Sequence, residues 1–182
     1  MKIIEIRRHA MRQKPGAHLS SDGVELATFA GTQMGHYDRV ITSTLPRSVE
    51  TAVAMGYEVN ACIEELGKLP DEILAKLDWP NTLQSNAAII HTNRECSQFA
   101  SKQTSIWFDC IRDLPDGGKI LIISHGGIME LGALGSMHSG ECKTFVGAFG
   151  YCEGFSLEYE GEFCTGMDFI LMPTNRRLID SK

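Results

Sequence analysis

The chain has 182 residues, of which 43% are hydrophobic and 22% charged, and its formal net charge is −6. This length suits one domain with a sizeable core, and we expect residues 1–182 to form that domain. The acidic balance argues against broad contact with nucleic acid or with an anionic membrane surface. These properties leave the oligomeric state open.

The N-terminal residues and the cysteines bear on where the protein works. Residues 1–5 are too few and too charged for a secretory signal peptide, and no apolar run approaches the ~20 residues of a membrane-spanning helix. We therefore expect a cytoplasmic protein. The cysteines are far apart and form no C-x-x-C pair, so they are predicted to be reduced and mostly buried: Cys62, Cys96, Cys110, Cys142, Cys152 and Cys164.

Short apolar segments alternate with amphipathic ones in the first third of the chain. Residues 3–6 are predicted to form a strand, and the spacing of the apolar residues beyond them favours a helix that ends at Gly35. A second strand is predicted over residues 38–43. Ser43 or Thr44 can cap the helix that follows, because both side chains accept hydrogen bonds from the first free N–H groups of a helix.

The rest of the chain completes the pattern of an α/β sandwich. Helical signals dominate residues 64–116, with one long amphipathic helix predicted over 93–114. The unbroken apolar run at 120–123 is typical of a strand buried on both faces of a parallel sheet, and a hairpin turn is predicted at 159–162. We therefore expect a three-layer α/β/α sandwich with a mostly parallel central sheet and an antiparallel edge.

Charged and polar side chains directly follow three of the predicted strands. In open α/β sheets ligands collect beyond the carboxyl ends of the strands, so these side chains are candidates for function. Two histidines and two or three arginines are therefore expected at one edge of the sheet. The three groups are Arg7, Arg8 and His9 after the first strand, Ser43, Thr44 and Arg47 after the second, and Ser124, His125, Gly126 and Gly127 after the buried strand.

The type and position of these residues favour an anionic ligand. Arg47 falls in the first turn of a predicted helix, where the positive end of the helix dipole opposes a cation by about 0.3–1 kcal/mol. An anion between the two would remove that opposition, and guanidinium groups match a phosphoryl group better than lysine does. Gly126 and Gly127, at the start of another helix, suit close approach by such a ligand. Taken alone, each of these arginines and histidines is more typical of an ordinary surface or loop residue, but their coincidence at three strand ends favours a phosphate site.

Four short motifs together resemble those of the histidine phosphatase superfamily, which has the phosphoglycerate mutase-like fold. They occur in the family's order and at the expected structural places, and the resemblance covers most of the chain. It indicates the small single-domain phosphatase branch. The motifs are Arg8-His9-Ala10 in place of the family's arginine-histidine-glycine, the pre-helix segment "HLSSDGVELA", the second-arginine motif "STLPRSVETA" and the second-histidine motif "ISHGG".

The resemblance implies hydrolysis of a phosphate ester through a covalent phosphohistidine, with neither a metal nor another cofactor. His9 is implied as the nucleophile. Arg8, Arg47 and His125 are implied to bind the phosphoryl oxygens, and His125 is also implied to be catalytic. Arg12 occupies a position where one branch of the family has a further phosphate-binding arginine, so it is either a fourth contact or a surface residue.

The family also uses a carboxylic acid that protonates the leaving oxygen, and its position here is less defined. Glu65, which is followed by leucine, fits the family's pattern best, and Glu64 is the second choice. Two departures from the family affect the site. Ala10 replaces the usual glycine, so its methyl group is expected to narrow the pocket, and Met129-Glu130 stands where many members continue with arginine.

The leading functional prediction is a phosphomonoesterase that acts on a small phosphorylated metabolite or a phosphoprotein. A protein phosphohistidine phosphatase is an alternative within the same family. A binding module that retains the pocket but has lost turnover is an alternative from a different class, motivated by Ala10 and by the uncertain acid. A mutase is disfavoured because the chain lacks room for long insertions, and a zinc hydrolase because no H-x-x-x-H pattern occurs.

Overall fold

The computed structural model of the chain describes residues 1–77, 80–137 and 147–179. The predicted strands and helices occur in the predicted order, together with one further strand of two residues that the sequence does not indicate. The elements are β1 (Lys2–Arg8), α1 (Ser21–Gly31), β2 (Arg39–Thr42), α2 (Pro46–Ala54), β3 (Ala61–Cys62), a 3-10 turn (Glu64–Leu66), α3 (Asp71–Leu74), α4 (Leu83–Thr92), α5 (Arg94–Ile111), β4 (Lys119–Ser124), α6 (Ile128–Ser136), β5 (Gly154–Glu160), β6 (Phe163–Ile170) and a second 3-10 turn (Thr174–Arg176).

The described strands form one sheet in the order β3-β2-β4-β1-β5-β6. The pairs β3–β2, β2–β4 and β4–β1 are parallel, whereas β5 runs antiparallel to β1 and β6 antiparallel to β5. The mostly parallel sheet with an antiparallel edge is thereby confirmed. Because β1, β2 and β4 are parallel neighbours, their carboxyl ends lie side by side at one edge of the sheet.

Helices cover both faces of the sheet, and β4 shows how the two faces are built. Ile120 and Ile122 belong to a core that includes Trp107 of α5, and Leu121 belongs to a second core that includes Leu26 of α1. All three β4 side chains are fully buried. The unbroken apolar run therefore has the physical cause that the sequence suggests: successive side chains point to opposite faces, and each face meets a layer of helices.

Several element boundaries differ from the predicted ones for local reasons. Helix α1 ends at Gly31 rather than at Gly35, and a Cβ atom on Gly31 would lie 2.1 Å from the carbonyl oxygen of Met55, so the chain packs tightly there. The long predicted helix is α5, which Asn93 caps through its side chain. The hairpin turn lies between the ends of β5 and β6, with Gly161 in the left-handed region at φ 59°.

The cysteines of the described residues carry free thiols. Cys62 is exposed and the others are buried, in agreement with the prediction; Cys142 lies outside the described residues. Within the described part of the chain, no helix is both long and apolar enough to cross a membrane.

Candidate active site

The carboxyl ends of β1, β2 and β4 bring the residues of the three motifs together. Arg8 pairs with Ser124 across the parallel β1–β4 ladder, and the backbone N–H of His9 donates to the Ser124 carbonyl at 2.9 Å. The N–H of Ser43 donates to the Ile123 carbonyl at 3.2 Å. The backbone therefore fixes the first histidine, the serine after β2 and the strand end before the second histidine in adjacent positions.

His9 is held as a neutral imidazole with a defined tautomer. Its Nδ1 atom lies 2.7 Å from the carbonyl oxygen of Ala10, and a carbonyl only accepts, so Nδ1 carries the proton. Arg47 Nε donates to the other ring nitrogen, Nε2, at 3.2 Å. Burial lowers the pKa of His9 to about 3; the hydrogen bond to the Ala10 carbonyl opposes this decrease, and the charges of Arg8, Arg47 and Arg12 add to it. The ring is thus neutral at neutral pH, and its Nε2 lone pair accepts the hydrogen bond of Arg47.

His125 faces His9 and is held by two serine hydroxyls. The ring centroids of the two histidines are 4.8 Å apart. His125 Nε2 lies 2.7 Å from Ser43 Oγ and 3.0 Å from Ser48 Oγ, and the two hydroxyl oxygens are 2.9 Å apart. Burial and the charges around the site keep the pKa of His125 well below its usual value. Among the described residues its buried Nδ1 atom has no hydrogen-bond partner.

The serine contacts of His125 revise one prediction and add one residue. Neither Ser43 nor Thr44 caps helix α2, which begins after Leu45 without a side-chain cap. Ser43 instead forms a hydrogen bond with His125, because β2 ends directly beside the end of β4. Ser48 is fully buried one residue after Arg47, and nothing in the sequence distinguishes it from an ordinary helical serine.

Arg8 lies in the site and contacts an aromatic residue that no sequence motif assigns to the site. Its Nη1 atom donates to the Phe149 carbonyl at 3.2 Å, and its guanidinium lies 4.4 Å from the centroid of the Tyr151 ring. The same ring is 6.0 Å from the ring of His9. Tyr151 belongs to no motif and precedes β5 by a few residues, so only the antiparallel β1–β5 pairing places it here.

The backbone around Tyr151 is held in a strained form. Cys152 is a non-glycine residue in the left-handed region, with φ 60°. Its N–H donates to the Arg8 carbonyl at 3.0 Å, and the Arg8 N–H donates to the Glu153 carbonyl at 2.8 Å. Both sides of the strained residue are thus tied to the end of β1, which fixes Tyr151 against Arg8.

Arg7, the neighbour of Arg8, is directed elsewhere. Its Nε atom forms a buried ion pair with Glu5 at 2.7 Å, and its Nη1 donates to the Cys152 carbonyl at 3.0 Å. Arg7 therefore supports the sheet and the Tyr151 segment, as expected for a side chain on the opposite face of β1 from Arg8. It is buried rather than exposed, because Glu5 compensates its charge.

Arg12 and Ala10 flank the nucleophile. Arg12 is half-buried, donates to the Gly16 carbonyl at 2.8 Å, and is one of the cations that lower the pKa of His9 and of Arg47. The positive charge of Arg12 is therefore close enough to favour the uncharged forms of His9 and Arg47. Ala10 is fully buried in the core beneath α1 and α2, so its methyl group packs with apolar side chains.

The candidate acids lie in a surface groove. Glu65 Oε1 is 3.8 Å from Lys102 Nζ, with 47% of the Glu65 side chain exposed, and Glu64 pairs with Lys68 at 3.4 Å. The 3-10 turn that carries both glutamates is joined to the site through its last residue, Leu66, because Ser124 Oγ donates to the Leu66 carbonyl at 2.7 Å. In this conformation both carboxylates are paired with lysines.

The start of α6 is closed to a ligand at Gly127. A Cβ atom on this residue would lie 3.1 Å from a methyl of Leu77 and 3.2 Å from one of Leu69, and its N–H donates to Glu130 Oε2 at 2.6 Å. The expectation that Gly127 permits close approach by a phosphate is therefore wrong. Its close neighbours are leucines, and a carboxylate of the protein occupies its N–H.

The described residues bring together no group of three or more His, Cys, Asp or Glu side chains arranged to hold a metal ion.

Comparisons with known proteins extend the description of the fold. No protein-family model matches the chain, and no curated protein matches it. Several solved structures are similar to the chain. Phosphoserine phosphatase from Entamoeba histolytica, in complex with 3-phosphoglyceric acid, has 15% identity and a TM-score of 0.67 over 98% of this chain and 100% of that chain. Phosphoglycerate mutase from Bacillus anthracis has 17% identity and a TM-score of 0.56 over 90% of each chain.

A third similar structure is the protein histidine phosphatase SixA complexed with tungstate. It has 16% identity and a TM-score of 0.55 over 95% of this chain and 98% of that chain. At such identities the likeness is one of fold, and it extends over nearly the whole chain. The chain therefore has the phosphoglycerate mutase-like fold.

Proposed function

We propose that this protein is a phosphomonoesterase that hydrolyses a phosphate ester through a covalent phosphohistidine on His9. The observation that carries the proposal is the state of His9: its Nδ1 proton is bound by a carbonyl, its Nε2 lone pair faces the site, and burial keeps the ring neutral. Arg8 and Arg47 lie beside it and His125 opposite. This arrangement suits an in-line attack on phosphorus.

In the first step, the Nε2 lone pair of His9 forms a bond to phosphorus while the bond from phosphorus to the ester oxygen breaks. Arg47 moves its hydrogen bond from His9 to a phosphoryl oxygen, and Arg8 and His125 bind the remaining charge. Arg12, which is half-buried, adds a fourth contact and the third positive charge. The leaving oxygen takes a proton from a carboxylic acid and departs as an alcohol.

In the second step, water attacks phosphorus and the P–N bond breaks, which restores the lone pair of His9. The proton from water goes to the carboxylate that acted as the acid. We assign this role to Glu65, with Glu64 as the second choice; either must leave its lysine partner when substrate binds. The proposed route needs no metal, because the imidazole supplies the nucleophile and guanidinium groups stabilise the phosphoryl charge.

Donation by Nδ1 of His125 follows from the proposed role of the serines. A hydroxyl of Ser43 or Ser48 that donates to Nε2 leaves the single proton of the neutral ring on Nδ1. That atom is buried and has no partner among the described residues, so it is suited to a phosphoryl oxygen. Catalysis by His125 then consists of stabilising the charge that develops on phosphorus.

A protein phosphohistidine phosphatase is the second candidate, and the position of Glu65 favours it. A phosphohistidine that is protonated on its other ring nitrogen releases a neutral imidazole, whose conjugate acid has a pKa of about 6.5, and this is a far better leaving group than an alkoxide. Its departure depends less on a positioned acid, and Glu65 is paired with Lys102 outside the His9 cluster. The similar fold of SixA supports the same candidate.

Rapid-quench labelling tests the proposal directly. The wild-type protein is mixed with radiolabelled phosphoserine, 3-phosphoglycerate or a phosphohistidine peptide, and acid-labile phosphate on the protein is measured beside product release. His9→Ala should lose both label and turnover, whereas His91→Ala, which changes an exposed histidine on α4, should keep both.

Each outcome has a defined meaning. Full turnover by His9→Ala would eliminate the proposed nucleophile, and affinity without label in the wild type would identify a binding module. Turnover of the peptide alone would favour the second candidate.

A further inference from the structure

Glu130 is an unexpected residue beneath the candidate site. It lies in the first turn of α6 and is fully buried. Its Oε2 atom accepts the backbone N–H of Gly127 at 2.6 Å, and its Oε1 atom has no hydrogen-bond partner among the described residues. The mechanism proposed above does not use this carboxyl group.

Burial of Glu130 is unfavourable for folding. A buried carboxyl with an unpartnered oxygen loses its hydration without full compensation. Burial raises the pKa of Glu130 to about 7, although a backbone hydrogen bond and the charge of Arg8 oppose the increase. An apolar side chain of similar volume would avoid this cost. The hydrogen bond from the Gly127 N–H is therefore the one favourable contact that the buried Glu130 carboxylate makes among the described side-chain contacts.

The contact between Glu130 and Gly127 lies in the turn that follows His125. The turn connects β4 to α6, and Gly127 is in the left-handed region at φ 85°. The Met129 N–H donates to the His125 carbonyl at 3.1 Å, so the first turn of α6 also binds the histidine backbone. Leu69 and Leu77 pack against Gly127, and Glu130 binds its N–H.

We propose that Glu130 is a positioning residue that fixes the turn between β4 and α6 and thereby holds the His125 ring toward His9. Its side chain acts as a hydrogen-bond acceptor for Gly127 and touches neither the substrate nor the reacting atoms. The inference rests on the proposed function, in which His125 Nδ1 binds a phosphoryl oxygen. It accounts for a carboxyl group at a buried position where it does not improve stability.

Two substitutions separate the hydrogen bond from the charge. Glu130→Gln keeps the length and an acceptor oxygen but removes the charge, whereas Glu130→Asp keeps the charge and is one methylene too short to reach Gly127. Glu130→Asp should lower kcat at least tenfold and change KM less than threefold; Glu130→Gln should stay within threefold of wild type in both. Met129→Leu, an apolar change in the same turn, is the matched control and should resemble wild type.

Histidine ring NMR gives a readout that does not depend on turnover. In protein labelled with ¹⁵N-histidine, Glu130→Asp should shift or broaden the His125 ring signals and leave those of exposed His91 unchanged. Glu130→Gln should preserve the His125 signals. Unchanged His125 signals and kcat in folded Glu130→Asp would overturn the proposal, and so would equal damage by both substitutions.

If Glu130→Asp does not fold, Glu130→Gln alone tests the proposed acceptor role. Preserved His125 signals and kcat in Glu130→Gln would support an acceptor role, and loss of either would refute it. Absence of turnover in every form, wild type included, would instead count against the proposed phosphatase activity, since the ring signals still test Glu130.

Discussion

Arg47 donates a hydrogen bond through Nε to His9 Nε2 at 3.2 Å, so the nitrogen proposed to attack phosphorus is covered in the unliganded protein. The lone pair becomes free only when an anion draws the guanidinium away. A neutral analogue cannot do this as well as a phosphate dianion, because Arg47 would keep its bond to the ring. In the proposed mechanism, the phosphoryl group would therefore free the Nε2 lone pair of His9 as it binds.

Substitution of Arg47 should weaken stabilisation of the transition state for phosphoryl transfer. Arg47→Lys keeps a positive charge but loses the planar fork, and we expect kcat/KM to fall roughly 10²-fold, with Arg47→Ala worse by about another factor of ten. Arg112→Lys, an exposed change at the end of α5, is the control. Steady-state kinetics measure the effect. Wild-type kcat/KM in Arg47→Lys would show that charge alone suffices.

His9 should remain neutral far into the acid range. Its pKa of about 3 means that the ring is unprotonated at pH 5, so protonation of His9 should not limit activity there. Titration of the ¹⁵N-labelled ring checks this. A protonation midpoint near the ordinary value of 6.5 would contradict it.

The depressed pKa of His9 also links folding to pH. The stabilising effect of the neutral ring is fully present above 6.5, the value in the unfolded chain, and is lost as the pH falls below it toward 3. From pH 6.5 to pH 5 this loss is about 2 kcal/mol in the free energy of unfolding. The His9→Asn variant should not show this pH-dependent loss of stability. Parallel urea curves of variant and wild type at the two pH values would disprove the linkage.

Glu130 should give the opposite dependence. Its folded-state pKa of about 7 exceeds the ordinary 4.5, so its stabilising protonated form is fully present below 4.5 and lost as the pH rises through 7. The interval corresponds to roughly 3 kcal/mol in the free energy of unfolding. Glu130→Gln should therefore gain stability relative to wild type between pH 5 and pH 8. Urea unfolding at both pH values measures this, and a constant difference would refute it.

The two serines on His125 should act as a pair. Removal of one hydroxyl leaves the other within reach of Nε2, so Ser43→Ala and Ser48→Ala should each lower kcat about three- to tenfold. The double variant leaves the ring without its fixed tautomer and should lose about 100-fold. Ser105→Ala, on the exposed face of α5, is the control. A double variant with wild-type kcat would show that the hydroxyls do not orient the ring.

The ring of Tyr151 should contribute to phosphate binding through Arg8. The guanidinium lies over the ring face at 4.4 Å, and a contact of this kind contributes about 0.5–2 kcal/mol. Tyr151→Phe should therefore bind inorganic phosphate about 3- to 30-fold more tightly than Tyr151→Leu. Isothermal titration measures both affinities. Equal affinities would mean that Arg8 needs no aromatic support.

The sequence is sufficient to predict the frame of the site but not its supporting contacts. The strand ends before His9 and His125 follow local apolar patterns, and the order of elements places them together. Ser48, Glu130 and Tyr151 act through contacts with residues that are distant in the chain. Local pattern carries no information on such contacts, as the capping prediction for Ser43 illustrates.

The position of β1 in the sheet has a consequence for synthesis on the ribosome. This strand lies between β4 and β5, so neither of its hydrogen-bonding partners exists until residues 119–124 and then 154–160 have been made. At about 5–20 residues per second, the apolar strand that precedes His9 waits roughly 6–20 seconds for its first partner strand. Folding of the sheet is therefore dominated by pairings distant in sequence, which makes it slow. During that wait the apolar side chains of β1 have no strand beside them, and a chain interrupted before residue 119 carries His9 without the residues that surround it in the folded protein.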